Sequence, residues 1–158
     1  MGERIDYLDD PDAPKANSLV PSANVIVVND QGEILLIRRT DNGNWAVPGG
    51  GLDLGESITD TAVRETREET GITCEITGLV GIYTSPRHVI RYTSNDEVRQ
   101  EFSVVFTARP VSGELRPSSE SAKPQWVSRD VVSGLRMHPS MRQRIQRYLD
   151  QRPQPYLG

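Results

Sequence analysis

The segment from Gly50 to Ile72 constrains this chain most, because it combines a capped helix with closely spaced acidic residues. Ser57 is a good N-cap with Asp60 three residues later, and Gly71 is typical of the residue that ends a helix. These signals predict a helix over residues 58–70. Three glutamates at positions i, i+3 and i+4 share one face of it: Glu65, Glu68 and Glu69.

An acidic helix face is usually a solvated surface, but the residues before this helix favour a functional interpretation. A glycine-rich stretch, Pro48–Gly51, is followed by Glu56 and leads directly into the helix. Backbone amides in such a stretch can approach phosphate oxygens closely. Clustered carboxylates are the ligands that a hard ion such as Mg²⁺ prefers. Arg64 stands one turn before Glu68 and offsets part of the repulsion among the acids.

The rest of the chain predicts an α/β fold. Two β-branched runs at 24–28 and 34–37, separated by turn residues, predict a hairpin whose strands are covered on both faces. Further strands are predicted near 74–83, 88–92, 101–108 and 125–127, with a loop at 93–98, a short helical turn after Ser128 and a final helix from Pro139 to about residue 151. Strands and helices in this order predict a mixed sheet covered by helices.

The length of 158 residues predicts one domain, which we place at 22–151. A polar arm at 1–21 precedes it, either packed on the surface or partly disordered. The tail at 152–158 contains two prolines and is expected to fray.

Charge and cysteine content exclude several classes of protein. The net charge of −4 disfavours binding to nucleic acid or to an anionic membrane as the main activity. The single cysteine, Cys74, excludes an intramolecular disulfide framework and fits a reducing compartment. No apolar run is long enough to cross a bilayer as a helix. These features predict a soluble, cytoplasmic protein.

The spacing of the glycine, the acids and the arginine resembles the Nudix box. Gly50, five residues, Glu56, seven residues and then Arg64–Ile72 match eight of the nine specified positions of that pattern. Thr66 departs from it, since the pattern prefers an aliphatic residue there. The resemblance implies a Nudix fold, an α/β/α sandwich with a mixed central sheet, over roughly residues 22–150.

The resemblance also implies roles for the residues of the box. Nudix enzymes hydrolyse a diphosphate linkage in a nucleoside diphosphate linked to another group, using Mg²⁺ or Mn²⁺. The positions that correspond to metal ligands are Glu65, Glu68 and Glu69, with Glu56 and Gly50 also at the metal site. Arg64 corresponds to the arginine that holds the glutamates in place by salt bridges.

The identity of the general base stays open between two positions. One is a box glutamate, with Glu69 as the first candidate beside Glu68. The other is an acid outside the box, and Glu120 resembles the downstream glutamate of mutator-type pyrophosphohydrolases. Glu120 is equally well explained as a solvated acid in a serine-rich turn. Glu97 and Glu101 are weaker candidates for the same role.

The candidate substrate-binding residues lie outside the helix. The glycines Gly49 and Gly50 offer backbone amides to phosphates. Arg39 follows an apolar strand, and Arg87 precedes His88 in a loop where it could reach a phosphate or ribose. Trp45 is a candidate to stack on a base, although aromatic residues in strands are often core residues.

Three functions remain open at this stage. The first is hydrolysis of ADP-ribose or a related nucleotide sugar to AMP plus a sugar phosphate. The second is pyrophosphohydrolysis of oxidised or non-standard nucleoside triphosphates. The third is a non-catalytic Nudix module that senses a nucleotide, which the complete set of box glutamates disfavours. In each case the partner is a nucleotide-type small molecule rather than nucleic acid or a membrane. Homodimerisation, common in the family, is a further prediction.

Overall fold

The computed structural model describes residues 2–119 and 123–158, and it forms three sheets and three helices. The first sheet has four strands in the order β1 (Arg4–Leu8), β8 (His88–Tyr92), β9 (Glu97–Gln100) and β2 (Ser18–Leu19). The second has five, in the order β12 (Tyr156–Leu157), β7 (Ile72–Tyr83), β10 (Ser103–Gly113), β3 (Ser22–Val27) and β6 (Gly49–Gly51). The third has three, in the order β11 (Gln125–Val127), β4 (Ile34–Arg38) and β5 (Trp45–Ala46). The helices are α1 (Ile58–Thr70), α2 (Arg129–Val132) and α3 (Pro139–Leu149).

The five-stranded sheet is mixed and lies between two apolar layers. It combines parallel pairing of β3 with β10 and antiparallel pairing of β10 with β7. Side chains alternate across the pleat of a strand. Val25 and Val27 therefore pack with Ala62 of α1 on one face, while Ile26 packs with Ile145 of α3 on the other. The predicted α/β/α sandwich with a mixed central sheet is confirmed.

Helix α1 begins and ends where local signals predict. The Ser57 side chain accepts a hydrogen bond from the Asp60 backbone N–H at 3.1 Å, and Asp60 accepts one from the Ser57 N–H at 3.0 Å. Gly71 adopts φ 84°, a left-handed conformation that glycine reaches without steric cost. These caps place the acids of the helix at a defined height above the sheet.

The predicted hairpin is wrong in its pairing. Strands β3 and β4 are joined only by a bridge between Val28 and Ile34, and they continue in different sheets. Both edges of β3 are already occupied, by β10 on one side and β6 on the other. β10 pairs with β3 from Ser22 to Val27 and β6 pairs with its first three residues, so β4 contributes only the bridge at the end of the strand.

Both chain ends form strands, which the sequence did not indicate. In the arm, β1 pairs with β8 in a register from Arg4–Tyr92 to Leu8–His88. In the tail, β12 pairs with β7, and Tyr156 stacks on Tyr83 with ring centroids 4.6 Å apart. The expected fraying of the tail is therefore wrong.

Smaller differences concern a loop and the ends of elements. The predicted loop at 93–98 ends earlier, because β9 begins at Glu97, and the final helix ends at Leu149. Among the described residues, no helix is long and apolar enough to span a membrane.

Candidate active site

Arg64 organises the acids of α1 into one cluster. Its guanidinium donates to Glu56 at 2.6 and 2.9 Å and to Glu65 at 2.9 Å. It also reaches Glu68, one turn further along the helix, at 3.2 Å. We call Glu56, Glu65, Glu68, Glu69 and Arg64 the glutamate cluster. One cation stands among four carboxylates, so the cluster keeps a negative charge.

The acids of the glutamate cluster differ in exposure. Glu68 is the open one, with 54% of its side chain exposed, whereas Glu65 is 16% exposed and Glu69 is buried. Burial raises the pKa of Glu65, although Glu69 and Arg64 oppose the shift. Hydrogen bonds from Arg64 lower the pKa of Glu56 to about 2. The site therefore holds an ionised carboxylate in Glu56 and a carboxylate that is costly to ionise in Glu65.

The glycine strand β6 lies directly against these acids. The Gly49 N–H points toward Glu69 Oε1 at 3.4 Å. A Cβ atom at Gly50 would lie 2.5 Å from the carboxyl carbon of Glu65, closer than real Cβ contacts. Glycine at position 50 thus lets the backbone approach the acids, and any larger residue would clash with Glu65.

A cavity of about 290 Å³ opens beside the glutamate cluster. Of the four glutamates, Glu69 lines it, next to Gly49 and Gly50. Arg39 and Trp45 line it as well, and Arg39 also pairs with Asp41 at 2.8 Å. A cavity of this volume is near the lower end for small-molecule sites.

Of the predicted substrate-binding residues, Arg87 is not brought to this cavity. Arg87 is 78% exposed and pairs with Asp9 at 3.3 Å, away from the cavity lining. Glu120 lies outside the described residues. Of the weaker candidates for the base, Glu97 is held by Arg99 at 2.9 Å and Glu101 by Arg144 at 3.1 Å.

A second group of charged and polar side chains, not predicted as a unit, lies at the other part of the cavity; all of them line it except His88, which contacts Asp6. We call it the distal cluster, and its members are Arg4, Asp6, His88, Glu101, His138 and Arg144. Asp6 accepts from Arg4 at 2.8 Å and lies 3.0 Å from His88 Nε2. Burial would raise the pKa of Asp6, but the hydrogen bonds from His88 and Arg4 outweigh it and hold that pKa well below its usual range. The members come from β1, β8, the connection between β9 and β10, the N-cap of α3 and α3 itself, so no local motif could reveal them.

The distal cluster also contains a potential transition-metal donor set. One ligand atom each of Asp6, His88 and His138 lie within 4.8 Å of one another. Arg4, however, donates to both oxygens of Asp6, at 2.8 and 3.1 Å. His138 Nδ1 accepts from the Ser140 backbone N–H at 3.2 Å. Asp6 is already paired with Arg4 and His88, so a hydrogen-bonded network accounts for this arrangement.

Comparison with known proteins agrees with this geometry. The family described as NUDIX domain matches residues 18–148. A MutT-like protein from Streptomyces ambofaciens is 39% identical over 108 residues, which cover 68% of this chain and 63% of that protein. An ADP-ribose pyrophosphatase from Methanocaldococcus jannaschii is 31% identical over 103 residues, 63% of this chain and 57% of that protein. An 8-oxo-dGDP phosphatase from Mus musculus is 32% identical over 121 residues, 72% of this chain and 34% of that protein.

The matched segments thus span less than two thirds of the length of these relatives. A solved structure of a NUDIX hydrolase from Nitrosomonas europaea has a TM-score of 0.71 at 22% identity, covering 99% of this chain and 93% of that one. That likeness confirms the fold. With a box at Gly50–Ile72 and a family match over residues 18–148, the chain belongs to the Nudix hydrolase family.

Proposed function

We propose that this protein hydrolyses the diphosphate linkage of a nucleoside diphosphate linked to a second group, with ADP-ribose or a related nucleotide sugar as the leading substrate. The observation that carries the proposal is the glutamate cluster, which Arg64 assembles and which reaches the cavity through Glu69. The products would be AMP and a sugar phosphate.

The glutamate cluster fits a hard divalent cation, which Nudix hydrolases generally use. Four carboxylates with one guanidinium leave an excess of negative charge, and oxygen ligands are those that Mg²⁺ and Mn²⁺ prefer. Glu56, Glu65, Glu68 and Glu69 are the residues that would hold the ion, beside Gly50. When bound, such an ion neutralises phosphate charge and lowers the pKa of a coordinated water.

Side chains and backbone groups of the protein would orient the metal ligands, contact the phosphates and supply the general base. Arg64 holds three carboxylates in a common orientation, so their geometry is set before substrate arrives. Gly49 and Gly50 line the cavity, where their backbone can approach phosphate oxygens. Glu69 is buried at the cavity wall, which makes it the first candidate for the general base. Glu120 stays the alternative base outside the box.

The alternative substrate is an oxidised or non-standard nucleoside triphosphate. It is supported by a Bacillus subtilis relative described as a putative 8-oxo-dGTP diphosphatase, whereas the Methanocaldococcus jannaschii relative supports ADP-ribose. Release of AMP and ribose 5-phosphate would identify the first activity. Release of a nucleoside monophosphate and pyrophosphate would identify the second. The domain boundaries at residues 22 and 151, the cytoplasmic location and homodimerisation also remain predictions.

The test is product analysis with Mg²⁺ on a panel of ADP-ribose, other nucleotide sugars, diadenosine polyphosphates and ordinary and oxidised nucleoside triphosphates. We expect Glu69→Gln to reduce turnover by roughly a hundredfold or more, since it removes a carboxylate from the reacting centre. Glu75→Gln is the matched control, because Glu75 is 57% exposed on β7 and lies outside the cavity lining.

Wild-type turnover by Glu69→Gln would refute the role of this residue. Absence of turnover by the wild-type protein, combined with metal-dependent nucleotide binding, would favour the sensor function instead. Thermal unfolding of both variants would show whether a loss of activity reflects a loss of fold.

A further inference from the structure

His138 occupies an unusual position at the junction of the cavity and helix α3. It is the N-cap residue of α3, and its Nδ1 accepts from the Ser140 backbone N–H at 3.2 Å. The Ser140 hydroxyl lies 2.7 Å from the same nitrogen. Acceptance of the backbone N–H by Nδ1 favours the neutral tautomer whose proton is on Nε2. The helix cap therefore favours one tautomer of a side chain that lines the cavity.

The groups around His138 are already engaged with each other. Asp6 bonds to Arg4 and His88, and Glu101 bonds to Arg144. Within residues 2–119 and 123–158, His138 Nε2 has no hydrogen-bond partner. A donor that lines a cavity without a partner in the protein is available to a bound molecule.

The electrostatic surroundings keep this donor neutral. Burial lowers the pKa of His138. The nearby Asp6 opposes that shift, whereas the positive charges of Arg4 and Arg144 and the neighbouring His88 add to it. A neutral imidazole with its proton on Nε2 donates a hydrogen bond without adding a positive charge, which suits an uncharged acceptor such as a carbonyl oxygen or a ring nitrogen.

The position of His138 in the cavity indicates which part of a bound nucleotide it contacts. Asn24 pairs with Gly49 in the sheet, and its Oδ1 accepts from Arg144, a member of the distal cluster. His138 lines the same cavity as Gly49 and Glu69, on the side of the distal cluster that holds Asp6 and His88. With the diphosphate at the glutamate cluster, one end of the nucleotide extends into this cavity, where Trp45 and Met141 supply apolar walls that suit a nucleobase.

We propose that His138 donates a hydrogen bond from Nε2 to an acceptor atom of the substrate's nucleobase and so contributes to base selectivity. This inference rests on the proposed function in one respect, that the substrate is a nucleotide. It also gives β1 a role, because Arg4 and Asp6 line the same region although β1 precedes the segment matched by the family.

The experiment compares the wild-type protein with His138→Ser, since serine retains N-capping ability but lacks the donor that reaches the cavity. Binding of AMP, GMP, CMP and UMP is measured by calorimetry with Mg²⁺ present, and ribose 5-phosphate serves as the ligand without a base. We expect at least one nucleotide to bind roughly threefold to tenfold more weakly to His138→Ser. Binding of ribose 5-phosphate is expected to stay the same.

Three results would overturn the inference: no nucleotide binding by the wild-type protein, equal nucleotide binding by the variant, or an equal loss for ribose 5-phosphate. Nitrogen NMR of the wild-type imidazole tests the tautomer independently of folding of the variant. A proton on Nε2 supports the inference, and a proton on Nδ1 contradicts it. Nucleotide binding that depends on His138 without any hydrolysis would refute the proposed activity while leaving this inference intact.

Discussion

The glutamate cluster and the distal cluster both border one cavity, yet they are built in opposite ways. All members of the glutamate cluster come from the span between Glu56 and Glu69. The distal cluster joins residues far apart in the chain, as in the Asp6–His88 contact across 82 residues and the Glu101–Arg144 contact across 43. The first leaves negative charge uncompensated at an open edge, whereas the second pairs its charges internally. The glutamate cluster is therefore suited to recruiting a cation, and the distal cluster to holding a fixed shape.

The largest expected effect tests the internal pairing of the distal cluster. Glu101 and Arg144 are both buried, with side-chain exposures of 6% and 4%. Glu101→Gln leaves the Arg144 cation without its carboxylate, so we expect the free energy of unfolding to fall by about 3–5 kcal/mol. Urea denaturation measures the change. The double variant Glu101→Gln/Arg144→Met should recover most of the loss, because it removes the uncompensated charge.

The same substitution in the glutamate cluster provides the contrast. Glu68→Gln changes an exposed side chain, and we expect its effect on unfolding to stay within about 0.5 kcal/mol. Equal losses in Glu68→Gln and Glu101→Gln would show that the two clusters do not differ in the proposed way.

A smaller effect tests how tightly the backbone fits the glutamate cluster. Gly50→Ala places a Cβ 2.5 Å from Glu65 Oε1, so the carboxylate must move. We expect turnover with Mg²⁺ to fall by roughly tenfold to a hundredfold, since small displacements of a catalytic group are costly. Gly134→Ala is the control, because its Cβ would meet only Val131 O at an ordinary 3.7 Å. Full activity in Gly50→Ala would mean that Glu65 need not stay where this structure places it.

The smallest effect concerns the pH dependence of the distal cluster. Burial lowers the pKa of His138, so near pH 6.5 the native state binds fewer protons than the unfolded state. The free energy of unfolding should therefore decrease as pH falls through 6.5 toward the native pKa. Urea denaturation at several pH values measures the slope, and His138→Ser should lessen it. An unchanged slope in that variant would contradict the assignment of this proton to His138.

Sequence signals predicted the structure reliably where it depends on interactions between residues close together in the chain. Helix α1 was predicted with its N-cap and its terminating glycine, because both depend on hydrogen bonds and backbone angles of adjacent residues. The Arg64–Glu68 pair was predictable from one turn of helix. The burial of Glu69 was not, because it depends on the sheet beneath the helix and on the approach of Gly49.

Predictions that depended on which strands pair, or on which residue a side chain contacts, were less successful. The β-branched runs indicated strands correctly, but hairpin pairing failed because β10 and β6 occupy the edges of β3. The arm and the tail have weak strand signals, and each becomes a strand because β8 and β7 present free edges to pair with. Arg87 is adjacent to His88 in the chain, yet its side chain turns outward to Asp9.

The amino-acid sequence by itself determined the family, the capped helix and the grouping of its acids with Arg64, since all of these lie within one contiguous segment. The tertiary structure alone decided which carboxylate reaches the cavity, which strands surround it and how Arg4, Asp6 and His138 come together. The physical reason is that contacts within a helix turn follow from backbone geometry, whereas contacts across 40 to 120 residues follow from which sheet edges and apolar faces remain free during folding.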